Sequence, residues 1–171
     1  LFFFKLPVST VLLERLPVTA TLGVSAFLFA VALAIPLGIA AAVRPNSSID
    51  RLALMLSVVG QAMPSFWFAL MLVVLFGVIW PVLPITGSDT WRHFVMPTVV
   101  LGYFITPAIM RLTRSGMIDV LDSDYIRTAR AKGLDSWVIL YKHALRNAVV
   151  PVVSLAAAQI GGMLAGSVVV E

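Results

Sequence analysis

The sequence predicts an all-α membrane protein of about four transmembrane helices with a two-helix loop on one side, and three observations carry that reading. The chain of 171 residues is 60% hydrophobic and 12% charged, too apolar for a soluble domain of its size. Its uncharged runs are long enough, at about 1.5 Å per helical residue, to cross a hydrocarbon core of roughly 30 Å. Its charges are gathered rather than spread. Five of the twelve Lys and Arg residues (Arg127, Arg130, Lys132, Lys142, Arg146) fall within 118–151, and Arg111 and Arg114 stand just upstream.

Residues 1–15 set aromatic and aliphatic side chains beside Lys5, Glu14 and Arg15, which predicts an interfacial lead-in helix. The transmembrane domain is read over 16–171. Its first span, 16–43, opens at Pro17 and is long enough to tilt. Ala26, Ala30, Ala34, Gly38 and Ala42 recur at every fourth position, making one small-residue ridge where another helix backbone can come close. A polar turn, 44–51, carries Arg44 and Arg51. The second span, 52–80, ends near Trp80 because Pro81 and Pro84 cannot continue it. Pro64 removes a donor and frees a carbonyl near Gly60, so a mid-span kink is expected. Gln61 and Ser65 are placed to satisfy that backbone or to face a polar interior.

A short loop with Asp89 and Arg92 leads to the third span, 94–117, whose apolar run from Phe94 to about Arg111 carries Pro97 and Pro107, with Tyr103 and Thr106 as its polar residues, and which continues helically toward Met117. The fourth span, 148–170, sets Gln159 beside the ladder Ala158, Gly162, Gly166, whose last two members form GxxxG. Between these two spans lies the basic loop, 118–147. Ser123 or Asp122 can cap a helix over about 124–132, and Gly133 sits where a residue of positive φ ends it. Asp135 or Ser136 then caps a second helix. Two short helices meeting at a glycine make a compact knob suited to a partner's groove.

Charge placement orients the chain. If 44–51 and 111–146 share a side, that side holds nine Lys or Arg residues and the other holds Lys5, Arg15 and Arg92. The positive-inside rule then puts the knob in the cytoplasm.

Arg127-Thr128-Ala129-Arg130-Ala131-Lys132-Gly133, followed by Leu134 and then by His143-Ala144-Leu145-Arg146-Asn147-Ala148 and Pro151, resembles the EAA loop of permease subunits of binding-protein-dependent ABC importers. The stretch YIRTARAKGL, from Tyr125 to Leu134, is most similar to the dipeptide, oligopeptide, nickel and glutathione branch. The resemblance extends through 16–36, Met63-Pro64-Ser65-Phe66-Trp67 and the closing 166–171. It implies a type I importer transmembrane domain in the bacterial inner membrane. It also implies a second permease subunit, two cytoplasmic ATPase subunits and an extracytoplasmic solute-binding protein as partners, beside membrane lipid. The loop, Arg127 to Leu134, would be the ATPase-coupling element, and one further span would precede this stretch with at least one after it. Arg127 stands where the family has the glutamate that names the motif, and Thr128 replaces its first alanine, so an ion pair from that glutamate does not carry over.

Other chemistries are excluded or weak. No Gly-rich loop ends in Lys-Ser or Lys-Thr, so the chain is expected to be no enzyme and to take its energy from a partner. His93 and His143 lie in separate loops without a Cys or carboxylate at ligand spacing, so neither a metal nor a cofactor is expected. Asp119, Asp122, Asp124 and Asp135 flank helix starts, where they suit capping better than catalysis. An intramembrane enzyme would need ionisable residues inside the uncharged runs, and no Asp, Glu, Lys, Arg or His interrupts those, the third ending at Arg111. The rival reading is a membrane-tethered helix-turn-helix that binds DNA. The knob has too little chain between spans for an independent core, so no nucleic-acid partner is expected. The candidate pathway residues are Gln61, Ser65, Thr106 and Gln159, and the candidate packing residues are Ala34, Gly38, Ala158, Gly162 and Gly166.

Overall fold

The computed structural model describes residues 8–155, with side chains over 16–155. Gln159 and the ladder of Ala158, Gly162 and Gly166 lie outside the described residues. The described elements are all helical. Helix α1 (Val8–Val43) is followed by α2 (Ser48–Ala62), α3 (Ser65–Leu72) with a π-helical continuation Val73–Ile79, and α4 (Trp91–Leu121). Then come α5 (Asp124–Ala131), a π-helical stretch Val138–Ala144 and α6 (Leu145–Ala148). Among the described residues, three stretches are long and apolar enough to cross a membrane: Leu16–Val43, Trp91–Leu121 and Val138–Leu155. A fourth is made of two halves, Ser48–Ala62 and Ser65–Ile79.

Helix α1 starts at Val8 and passes through Pro17 unbroken, so its first turns are continuous with the span rather than a separate lead-in helix. Pro17 is tolerated because a proline interrupts a long helix only locally, at the carbonyl one turn before it. The core of the molecule is the contact between α1 and α4. Ala26, Ala30 and Ala34 have no exposed surface and Ala42 has 3%. On the facing helix Ile105, Ile109, Met110 and Met117 are buried. Small side chains on α1 let the large ones on α4 fill the space between two close backbones. A hydrogen bond between Ser25 Oγ and Thr98 Oγ1, at 2.8 Å, ties the same pair of helices toward the other end.

The expected kink at Pro64 is a fold of the chain instead. The axes of the two halves differ by 96°. Met63 (φ −80°, ψ 127°) and Pro64 (φ −61°, ψ 134°) are both extended. The proline ring drives the residue before it out of the helical region, and with two consecutive residues extended the helix ends and restarts in a new direction. The second half ends at Ile79, with Trp80 as its C-cap, just before Pro81. Helix α4 is longer than expected at both ends. It begins at Trp91, where Thr90 N donates to His93 Nδ1 at 3.1 Å and gives His93 a capping role. It runs on to Leu121, so Arg111 and Arg114 lie on a continuous span helix.

The 44–51 turn and the 122–135 turn occupy one end of the bundle. Ile39, Ala42, Met117, Ile126, Ala129, Ile139, Ala144 and Ala148 form a single buried cluster there.

Candidate functional site

Two features at this end carry the chemistry, a helical knob and a polar seam behind it. The knob begins with Ser123 at the N-cap position of α5, where its carbonyl accepts from Ile126 and Arg127. Its hydroxyl instead turns back to Val120 O at 2.5 Å. Helix α5 is strongly two-faced. Ile126 is fully buried and Ala129 is 8% exposed, while Arg127, Thr128, Arg130, Ala131, Lys132 and Gly133 are exposed. The helix ends in a Schellman motif: Gly133 N donates to Arg130 O at 3.0 Å and Leu134 N to Ala129 O at 3.3 Å. Gly133 has φ +73°, and nothing lies within 4 Å of where a Cβ would stand. Backbone conformation, not space, therefore calls for glycine here.

The second arm starts at Ser136. Asp135 caps it, one carboxylate oxygen accepting from Trp137 N at 3.2 Å. Trp137 and Tyr141 stack with ring centroids 5.0 Å apart, and both are exposed. Together with the 41% exposed Leu134, they give the knob an apolar edge beside its basic one. Asn147, in α6, donates to Tyr125 Oη in α5 at 2.8 Å. Arg127 reaches Asp124 at 3.4 Å, but both side chains are largely solvated, so this pair adds little.

The polar seam joins α2 to α4. Asp50, in the first turn of α2, is 1% exposed. Its two carboxylate oxygens accept from Arg114 Nε at 2.6 Å and Arg114 Nη2 at 2.7 Å. Asn46 N donates to the same carboxylate at 2.8 Å, from a left-handed conformation of φ 61° that asparagine tolerates. Ser47 Oγ accepts from Asp50 N, completing the helix start. Farther along α2, Arg111 Nη1 donates to Ser57 Oγ and to Gln61 Oε1, each at 2.9 Å. Asp50, Ser57 and Gln61 share one face of α2 by helical period. The two arginines, three apart on α4, reach that face in antiparallel order.

Of the predicted pathway residues, Gln61 is therefore engaged with Arg111, and Ser65 is the exposed first residue of α3. Thr106 donates to its own helix, at Gly102 O, 2.8 Å. The structure brings Gln61 and Arg111 together and leaves Thr106 apart from them. Ala34 is buried, and a Cβ on Gly38 would stand 2.8 Å from Thr113 Cβ. Sequence reasoning passed over the Asp50–Arg114 pair. Its signal was Ser47-Ser48-Ile49-Asp50, a Ser-x-x-Asp start before an apolar run. That spacing announces a capped helix, but not a partner on another helix.

Apolar helices of spanning length, packed through small residues and ending in an exposed basic knob, define a multi-span membrane protein with a rigid helical knob at one end. Residues 34–171 match the family described as "Binding-protein-dependent transport system inner membrane component", and the chain belongs to that family. It is similar to the glutathione transport system permease protein GsiC of Salmonella typhimurium, with 43% identity over 96% of this chain and 54% of that protein. It is also similar to the dipeptide transport system permease protein DppB of Escherichia coli, with 37% identity over 98% of this chain and 58% of that protein. The chain spans about half the length of the curated relatives it matches. Membership supports the transport reading and gives none to the helix-turn-helix alternative.

Proposed function

We propose that this chain is part of the permease subunit of a type I ABC importer that moves peptides or a related small solute inward. Its working partners are a second permease subunit, two cytoplasmic ATPase subunits and an extracytoplasmic binding protein. The observation that carries the proposal is the build of the knob: Ile126 and Ala129 are locked into the cluster containing Met117, Ile139 and Ala144, while Arg127, Thr128 and Arg130 through Leu134 stay open. A docking element needs that division. One side grips a partner, and the other moves α4 and the following helix when the partner moves. ATP-driven closure of the ATPases would displace α5, and the buried face would carry the displacement into the bundle. The chain needs no nucleotide site of its own in this scheme. The printed names of its relatives, glutathione and dipeptide permeases, support a peptide-like solute.

Gly133→Val tests the knob's geometry. A β-branched residue in the left-handed region costs about 1–2 kcal/mol, small for the bundle and large for a turn that must hold one angle. Expression is expected near normal, with ATPase pull-down and solute uptake falling together. Gly133→Asn, which accepts the conformation, is expected to retain both. Full docking and uptake by the valine variant would overturn the coupling reading.

A further inference from the structure

We propose that Arg111 is a binding site for a solute carboxylate on the translocation route, an inference that rests on the importer reading above. A guanidinium offers five N–H donors on two usable edges. Arg111 spends Nη1 on two neutral acceptors, Ser57 Oγ and Gln61 Oε1. Its Nε and Nη2 have no hydrogen-bond partner among the described residues. Arg114 shows, three positions away, what that edge takes: its Nε and Nη2 hold the two oxygens of Asp50. Arg114 is thus neutralised inside the protein, whereas Arg111 pairs with no carboxylate among the described residues. Ser57 and Gln61 orient the cation without discharging it, leaving the fork that matches a carboxylate unfilled.

The surroundings fit a passing solute. Arg111 lines an open cleft of about 510 Å³ together with Leu54, Ala108, Ser115 and Leu155. That volume accommodates the end of a small peptide. Depth favours a solute over a lipid phosphate. Ser57 and Gln61 lie two to three turns beyond Asp50 along α2, about 10–16 Å from the turn that carries the headgroup-level charges. A cation held there with only neutral partners is costly unless an anion visits it.

The test uses the complete transporter, with its ATPases and binding protein, reconstituted in vesicles. Uptake of a radiolabelled tripeptide is measured as the free acid and as its C-terminal amide. Selection by the binding protein affects wild type and variants alike, so the acid-to-amide ratio isolates the permease. Arg111→Gln is expected to lower that ratio about tenfold, the loss of one charge-assisted contact, and Arg111→Lys to restore part of it. An equal loss for both forms would make Arg111 a helix clamp and overturn the proposal, as would no change. A loss that vanishes when anionic lipid is replaced by zwitterionic lipid would assign the edge to a headgroup and overturn it as well. Import of neither form by the wild-type complex would instead refute the peptide reading, and this proposal with it.

Discussion

Asp50→Ala is expected to destabilise the subunit by about 3 kcal/mol, the lower end of the range for breaking a buried ion pair. The lower end applies because Arg114 keeps 22% of its side-chain surface while Asp50 keeps 2%. Removing the carboxylate leaves a guanidinium facing α2 with no counter-charge and strips Asn46 N of its acceptor. The turn between α1 and α2 then loses its anchor to α4. Most of the cost comes from stranding Arg114, so Asp50→Leu combined with Arg114→Met should recover much of it. The check is the thermal midpoint of detergent-solubilised protein, followed by fluorescence-detected size exclusion. A midpoint for Asp50→Ala equal to wild type would show that the pair is solvated in the membrane-bound protein and adds nothing.

Gly102→Leu is the second large effect. An added Cβ would stand 2.6 Å from Phe29 Cδ1 and 2.8 Å from Ala26 O. The ring can rotate away, but the carbonyl is backbone, so α1 must move. Overpacking of this kind costs typically about 1–3 kcal/mol, and a whole leucine at a backbone contact belongs at the upper end. Displacing α1 also parts Ser25 from Thr98 one turn away. Folded yield from membranes is the measurement, with Leu101→Ala, a 38% exposed neighbour, as the control. Equal yields for Gly102→Leu and the control would mean that α1 and α4 are not in close contact in the working protein.

What the sequence reveals and what it hides divide along a physical line. Helix class follows from local rules, because uncharged runs of spanning length have few alternatives in a bilayer. The end of α5 is equally local: an Arg-Ala-Lys-Gly-Leu sequence with glycine at the left-handed position makes a Schellman turn whatever surrounds it. Pro64 announces an interruption, but the rule for the residue before proline says where a helix is disturbed, not how far its axis turns. The 96° bend depends on Pro64 itself staying extended, and neighbours settle that. The polar seam was the least legible feature. Asp50 and Arg114 are 64 positions apart, and each alone reads as a solvated loop or helix-end charge. Only the packing of α2 on α4 turns them into a pair and leaves Arg111 beside them with a free edge.

Cysteine cross-linking at the knob tests the central claim most directly. Leu134 is exposed at the end of α5, and Ser88 is exposed in the loop between the second span and α4. In the reconstituted complex, Leu134→Cys is expected to form a cross-link to the ATPase subunit whose yield changes when ATP binds, while Ser88→Cys forms none. ATPase cross-linking from Ser88→Cys and none from Leu134→Cys would contradict the account, since the partner would then sit at the wrong end of the bundle.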